Sequence, residues 1–257
     1  MLFRSNESVV NRFLSVQEVP VAEAPVCAEC AEAGEPRERS FAAGYNYYKL
    51  FWIFFIGCII GVVLETVWCF MNTGVLENRA GLIYGPFNPV YGFGALIMTI
   101  TIGRFTKLRD LWIFLSCMLI GGAFEYLCSL FQELSFGTVS WEYSGTQMNF
   151  GGRTNLMFAF FWGILGLLWT KDFLPRMSRL IERIPNKIGP KLTWVLTVLM
   201  LLNMIVSAAA VYRQSQRREQ IPATNVVQRI LDDTYPDEFL SKAYPSMMVV
   251  DSGEEGQ

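Results

Sequence analysis

Two glutamates lie inside long apolar segments of the sequence, where ionised side chains are rare. Glu65 follows the letters GVVL and Glu125 follows GGAF, each in the second half of its segment. A charged side chain at the bilayer centre costs about 2.5–3.5 kcal/mol on insertion scales, so such residues face a partner or a water-filled cavity rather than lipid. We therefore predict that both line a pocket. The alternative is a structural role, in which each glutamate pairs with an arginine, Arg79 or Arg153.

A second group of candidates lies in the loops that follow these two segments. The run YGPFNPVYGFG, Tyr84–Gly94, is rich in glycine and proline, and the second loop carries a related run, Asn149–Arg153. Irregular backbone at membrane depth is tolerated only where it is buried in protein or lines a cavity. The first run is therefore predicted to line the pocket if it enters the membrane, and to form a surface turn if it does not. The candidate pocket residues are Glu65, Glu125, Arg79, Arg153, Tyr84, Asn88, Tyr91 and Asn149.

These candidates must be positioned by membrane helices. The chain is 52% hydrophobic and 17% charged, against about 25% charged residues in average soluble domains, and its apolar runs reach the ~20 residues that cross a bilayer as a helix. We predict an all-α membrane protein of about five transmembrane helices, near 48–71, 87–103, 111–131, 154–170 and 192–212. The predicted organisation is a polar tail (1–46), a four-span core (47–185), a fifth span (186–213) and a polar C-terminal tail (214–257) with a short amphipathic helix near 226–231.

The first and third spans resemble each other. Gly61-Val-Val-Leu-Glu65 matches Gly121-Gly-Ala-Phe-Glu125, and each is followed by an arginine-bearing loop and a glycine-rich span. Because both units are predicted to run in the same direction, they form two parallel helix–loop–helix repeats plus one extra helix, an arrangement that some transporters use. Chance similarity between two apolar helices is the alternative.

The charge and the cysteine content argue against several classes of function. The net charge is −2 and there is no histidine, so nothing favours a nucleic acid partner or acid–base catalysis. No phosphate-binding loop of the G-x-x-x-x-G-K-[ST] type occurs. Cys27 and Cys30 form a lone CxxC, short of the four ligands of a structural zinc site; a redox or metal role and two reduced thiols both remain open. We predict no enzymatic activity, no metal site and no cofactor.

Lysine and arginine near the span ends predict the orientation, because cytoplasmic loops carry the excess of positive charge. Ten such residues fall on the face of the N-terminal tail and five on the other face, so the N-terminus is predicted to lie in the cytoplasm, with the chain in the plasma membrane. The arginines at 213–218 argue locally the other way, and the side of the C-terminal tail stays open. Trp141 and Tyr143 are predicted to sit at the lipid–water boundary.

Five ordered motifs carry a family resemblance: Leu64-Glu65-Thr66, the run Asn78–Gly94, Glu125-Tyr126, Trp141-Glu142-Tyr143-Ser144 and Asn149–Arg153. Over about 47–185 the chain resembles the bacterial Putative ABC-transporter type IV permeases, sometimes called CmpB-like. Glu142 stands where that family usually has aspartate. The resemblance implies an integral membrane permease subunit that works with a separate ATPase on an unknown substrate.

Other functions fit the residues as well. An ion-coupled carrier or channel, or a non-transporting sensor or assembly protein, would use the same membrane core. The basic stretch 171–191 is predicted to lie along anionic lipid heads or to dock a cytoplasmic partner. Two hairpins and one extra helix make thin walls for a complete pathway, so we expect a homo-oligomer or a hetero-complex in the lipid bilayer.

Overall fold

The computed structural model describes residues 39–103 and 108–250, and these are mainly helical. The helices are α1 (Tyr47–Thr73), α2 (Pro89–Thr101), α3 (Asp110–Phe136), α4 (Leu156–Leu168), α5 (Leu174–Ile181), α6 (Gly189–Arg218), α7 (Val226–Thr234) and α8 (Asp237–Ala243). A π-helical turn, Trp169–Phe173, joins α4 to α5. Four two-residue strands form antiparallel pairs, β1 (Thr138–Val139) with β4 (Met248–Val249), and β2 (Asn149–Phe150) with β3 (Thr154–Asn155).

The all-α membrane fold predicted from the sequence is confirmed. Within the described residues, four helices are long and apolar enough to cross a membrane: α1, α3, the continuous run Leu156–Ile181, and α6. The predicted second span is α2, which has only 13 residues. Its shortness follows from the loop before it, which enters the membrane instead of remaining at the surface.

The loop between α1 and α2 descends along α1. The backbone N–H of Asn88 donates to the carbonyl oxygen of Cys58 at 3.2 Å, and Cys58 lies 15 residues before the end of α1 at Thr73. At a rise of 1.5 Å per residue, the loop therefore reaches about 22 Å below that end. There the Asn88 side chain accepts from the N–H of Val90 and caps α2, whose first residue is Pro89.

The last membrane helix satisfies the polar backbone of this loop. The N–H of Ile83 donates to Ser207 Oγ at 3.0 Å. Asn203 accepts from the N–H of Tyr84 at 3.3 Å and donates to its carbonyl oxygen at 2.7 Å. Unpaired backbone groups at membrane depth cost several kcal/mol each, so α6 is part of the core that holds the loop rather than an accessory helix.

The helix packing supports the predicted repeat. An added Cβ at Gly61 of α1 would lie 2.1 Å from Tyr91 of α2, and one at Gly121 of α3 would lie 2.4 Å from Trp162 of α4. Gly61 and Gly121 are equivalent positions in the first helices of the two hairpins and lie 60 residues apart in the sequence. Tyr91 and Trp162 are equivalent positions in the second helices and lie 71 residues apart. Both close contacts bring an aromatic ring onto a glycine, and the difference in offset makes the second loop 11 residues longer.

The hairpins also run in the same direction. Thr99 and Thr170 correspond at the 71-residue offset, and each donates its hydroxyl to the carbonyl four residues earlier. Trp169, beside Thr170, donates its indole N–H to Thr99 Oγ1 at 3.0 Å. Towards the other end of the hairpins, the rings of Trp68 and Phe161 meet edge to face. Equivalent positions therefore lie at similar depth, as a parallel repeat requires.

The C-terminal region packs on the end of the molecule where the two long loops lie. Arg213, 3% exposed, makes two hydrogen bonds of 2.9 Å to Asp232 of α7. Arg217 bonds the same carboxylate and Asp237. The helix predicted near 226–231 is confirmed as α7. Two of the three arginines at 213–218 thus pair with acidic residues of the C-terminal region.

Candidate functional site

A cavity of about 900 Å³ lies between the two hairpins, α6 and the C-terminal segment. It brings together five of the eight candidate residues, which come from α1, its loop, α2 and α3. Its walls are otherwise mainly apolar, and ten of the other lining residues are aromatic. Small-molecule sites are typically clefts of about 300–1,000 Å³ with apolar walls and a few polar groups, so the size and lining suit a small organic ligand. The candidates that line the cavity are Glu65, Arg79, Asn88, Tyr91 and Glu125.

Glu125 is held by uncharged donors. The Tyr143 hydroxyl donates to its Oε1 at 3.0 Å and the Thr154 hydroxyl to its Oε2 at 2.8 Å. The Trp162 side chain lies nearby. The Glu125 residue is 8% exposed, and no lysine or arginine of the described chain forms an ion pair with it. Its carboxylate therefore has its hydrogen bonds satisfied and its charge uncompensated.

Glu65, the equivalent of Glu125, has a different environment. The Tyr91 side chain lies near its carboxylate, and Arg79 Nη1 lies 3.9 Å from its Oε1. The same guanidinium donates to Glu77 at 3.0 Å and to the Cys69 sulfur at 2.9 Å. The predicted pairing of Glu65 with Arg79 is thus present, although Arg79 is shared between two carboxylates.

The predicted pairing of Glu125 with Arg153 is wrong. Arg153 pairs with Glu133 and lies 5.9 Å over the ring of Tyr126. Helix α3 extends to Phe136, five residues past its predicted end, and so carries Glu133 at its outer turn. At the 60-residue offset, the first hairpin has Thr66 and Thr73 in place of Tyr126 and Glu133, and the competing carboxylate for Arg79 is instead Glu77 of its own loop.

Two further candidates also lie outside the cavity lining. The Tyr84 hydroxyl hydrogen-bonds to that of Tyr235 at 2.8 Å, because Tyr84 sits where the loop meets the C-terminal region. The Asn149 amide donates to the carbonyl of Thr146 at 2.7 Å and accepts from the N–H of Gly152. It organises a turn in which Gly151 and Gly152 adopt φ of +57° and +68°, a conformation that favours glycine.

Three residues that contact Glu125 were not predicted as site residues. Tyr143, expected at the lipid boundary, instead bonds Glu125 and stacks on Phe158. Burial raises the pKa of Tyr143, as do the nearby charge and hydrogen bond of Glu125, so it stays a donor. Thr154 and Trp162 carry no sequence signal of their own. The sequence element Trp141-Glu142-Tyr143-Ser144 could have indicated Tyr143, because it places a phenol hydroxyl in the loop that follows Glu125.

The C-terminal segment closes one side of the cavity. Tyr244, Ser246 and Met247 contribute to its wall. The segment is fixed by the β1–β4 pairing, in which Thr138 faces Val249, and by the N–H of Val250 on the carbonyl of Gly137 at 3.0 Å. Access to the cavity from this end therefore depends on a strand pair of only two residues.

The donor set does not resemble a metal centre. No group of three or more histidine, cysteine, aspartate or glutamate side chains within 39–103 and 108–250 is placed to hold an ion. Cys27 and Cys30 lie outside the described residues. Carboxylates, phenols, indoles and one shared guanidinium can instead orient and hold a polar or charged group of a ligand.

Comparison with known proteins gives one match. A family model described as Putative ABC-transporter type IV matches residues 52–208. The match reaches into α6 and includes Asn203 and Ser207, the two residues whose side chains hydrogen-bond to the backbone of the loop between α1 and α2. The resemblance seen in the sequence ended near 185. No curated protein and no solved structure matches the chain.

Proposed function

We propose, from the premise that this chain belongs to the family described as Putative ABC-transporter type IV, that it is the membrane permease subunit of a transporter whose ATPase is a separate protein. It has no catalytic role of its own in this proposal. The observation that supports a transport role most strongly is the cavity between two parallel repeats, which contains one carboxylate from each.

The repeat architecture explains why such a site is useful in transport. In transporters built from repeats, substrate sites lie at the repeat interface, and access alternates by movement of one repeat against the other. Here the interface holds Glu65 and Glu125, and both act electrostatically on the Tyr143 hydroxyl. A ligand held between them would contact both hairpins, so its binding would respond to their relative position.

We place the N-terminal end of α1 in the cytoplasm of a plasma-membrane protein. The basic residues near 171–191 support this orientation, whereas the arginines at 213–218 count against it, because the rule counts lysine and arginine rather than net charge. Arg104 and Lys107, which also supported it, lie outside the described residues.

The proposed ATPase contact is the outer face of α5. Its inner face buries Leu174, Met177 and Ile181, and Glu182, next in the chain, pairs with the buried Lys49 of α1. Its outer face exposes Arg176, Arg179 and, at 59%, Leu180. A partner docked here would push on a helix that is continuous with α4 and so with the second repeat.

Affinity purification in mild detergent tests this proposal. We expect a stoichiometric ATPase with a phosphate-binding loop to co-purify, and Leu180→Asp to reduce its yield about tenfold, because a tenfold loss needs only about 1.4 kcal/mol and an unpaired carboxylate in a contact costs more. Val226→Asp is the matched control, since Val226 is 68% exposed on α7. A homo-oligomer without an ATPase would contradict the proposal.

An ion-coupled carrier is the second candidate. The observation that favours it is the charge of Glu125, which is buried and has no cationic partner in the described chain. Ionisable residues inside membranes mark ion and proton pathways. Uptake that persists in vesicles containing only the purified chain and an ion gradient, without ATP, would support this candidate over the first.

A further inference from the structure

The charges around the cavity do not cancel. Arg79 lies 3.9 Å from Glu65 and 3.0 Å from Glu77, which it pairs with outside the cavity, while the hydrogen-bond partners of Glu125 among the described residues are the neutral Tyr143 and Thr154. The lining thus has an excess of one negative charge when both glutamates are ionised. A buried charge without a counter-charge is unfavourable, and a ligand with one positive charge would remove that penalty.

Arg79 is mostly engaged within its own hairpin. Its Nη2 donates to Glu77 and Cys69, Nη1 lies 3.9 Å from Glu65, and its Nε is buried without a partner. Among the described residues that line the cavity, this arginine is the one cationic side chain, and it lies near two carboxylates of its own hairpin. An anion entering the cavity would be repelled by Glu125 and would compete with Glu65 and Glu77 for Arg79.

The aromatic walls suit an organic cation in particular. Aromatic faces attract ammonium groups, by about 0.5–1 kcal/mol at exposed sites and about 2 kcal/mol or more when desolvated. Five of the lining residues are aromatic side chains close to the two carboxylates in the fold: Trp68, Tyr91, Tyr143, Phe158 and Trp162. A bare inorganic ion would leave most of a 900 Å³ cavity empty or filled with water.

We propose that this cavity is a binding site for a monovalent organic cation, whose ammonium or equivalent group lies against Glu125 and is surrounded by the aromatic walls. This inference rests on the proposed transport function and specifies its substrate class. Glu125 is the residue that selects for charge, and Glu65 and Arg79 form the opposite wall.

Binding of a matched pair of probes tests the charge selection. Tetraphenylphosphonium and tetraphenylborate have nearly the same size and opposite charge, and equilibrium dialysis of the full-length protein against empty micelles corrects for partitioning into detergent. We expect the cation to bind the protein at least about tenfold more tightly than the anion. Glu125→Gln should weaken cation binding about tenfold or more and leave anion binding equal or stronger.

Glu133→Gln is the control, because Glu133 lies on the same helix, pairs with Arg153 and does not line the cavity. It should bind the cation as the unmodified protein does. Equal binding of the two probes, or unchanged cation binding in Glu125→Gln, would overturn the inference.

A second measurement avoids any substitution at Glu125. Dicyclohexylcarbodiimide modifies carboxyl groups in apolar surroundings, and peptide mass spectrometry can report the extent at Glu125 in the unmodified chain. Tetraphenylphosphonium should protect Glu125, while tetraphenylborate should not; protection by neither probe or by both would overturn the inference. If an ATPase co-purifies and no cation binds, the substrate class is wrong and the permease proposal stands. If the cation binds and no ATPase co-purifies, the permease proposal is wrong and the substrate class stands.

Discussion

Replacing Gly121 with alanine should force apart α3 and α4, the two helices of the second hairpin, whereas the same replacement at Gly122 should not. A Cβ at Gly121 would lie 2.4 Å from both Cβ and Cγ of Trp162, against about 3.5–4.0 Å for a favourable carbon contact. The atoms involved are the base of the indole side chain, so no flexible end can swing aside. A Cβ at Gly122 would lie 3.4 Å from the Cβ of Ala159, which is ordinary contact.

The overlap at Gly121 requires α3 and α4 to move apart by about 1 Å. Overpacking of this kind costs about 1–3 kcal/mol, and for a chain of this size about 1 kcal/mol corresponds to roughly 2–4 °C in Tm. We therefore expect Gly121→Ala to lower the Tm by about 2–12 °C. Gly122→Ala should leave it unchanged or raise it slightly, because alanine favours a helix over glycine by about 1 kcal/mol.

Thermal unfolding in one detergent, followed by tryptophan fluorescence, measures both variants under the same conditions. The repeat makes an additional demand: Gly61→Ala, whose Cβ would lie 2.1 Å from Tyr91, should destabilise the protein as Gly121→Ala does. Equal Tm values for Gly121→Ala and Gly122→Ala would refute the packing on which the repeat assignment rests.

Four other perturbations address the C-terminal region and the π-helical turn. Arg213→Gln removes charge-assisted hydrogen bonds to Asp232, a loss of about 1.5–3 kcal/mol because Arg217 still pairs with that carboxylate, and should increase hydrogen exchange throughout α7 and α8. Low pH should also increase exchange there, because Arg213 lowers the pKa of Asp232. The contribution of this carboxylate to stability is complete above the ordinary aspartate pKa and is lost as the pH falls through the lowered pKa. Hydrogen exchange rates of α7 and α8, corrected for the intrinsic pH dependence of exchange, would show this loss. A disulfide between Thr138→Cys and Val249→Cys, which are register partners, should slow probe entry into the cavity at least about tenfold until reduced, whereas Val249→Cys alone should not. Trp169→Phe removes the hydrogen bond to Thr99 and should lower stability by about 0.5–1.5 kcal/mol, measured by thermal unfolding.

The membrane fold and much of the site could be predicted because they depend on local patterns. A carboxylate in an apolar helix identifies itself, and the glycine-to-glutamate pattern at 61–65 and 121–125 marks the repeat. The proline- and glycine-rich run also indicated irregular backbone. Its depth could not be read from the sequence, since it depends on the bond from Asn88 to Cys58 and on the amide of Asn203, both of which join distant parts of the chain.

The wrong pairing predicted for Arg153 and the contact of Tyr143 that was not predicted have the same physical origin. Both residues have partners chosen by tertiary packing: Arg153 moves to Glu133 because α3 runs further than its apolar stretch, and Tyr143 turns inward to Glu125. A sequence shows which loop a residue occupies, and a tyrosine in a membrane loop is most often placed at the lipid boundary. The pairing of the C-terminal segment with β1 is equally non-local, because it joins residues more than a hundred positions apart.

The central claim is that the cavity between the two repeats is the site of transport. Its most direct test compares metabolite profiles, inside the cells and in the medium, for cells without the protein and cells with equal membrane levels of the unmodified chain, of the double variant Glu65→Gln/Glu125→Gln, or of Glu133→Gln. We predict that the double variant matches cells that lack the protein, while Glu133→Gln matches the unmodified chain. A double variant with the profile of the unmodified chain would contradict the account.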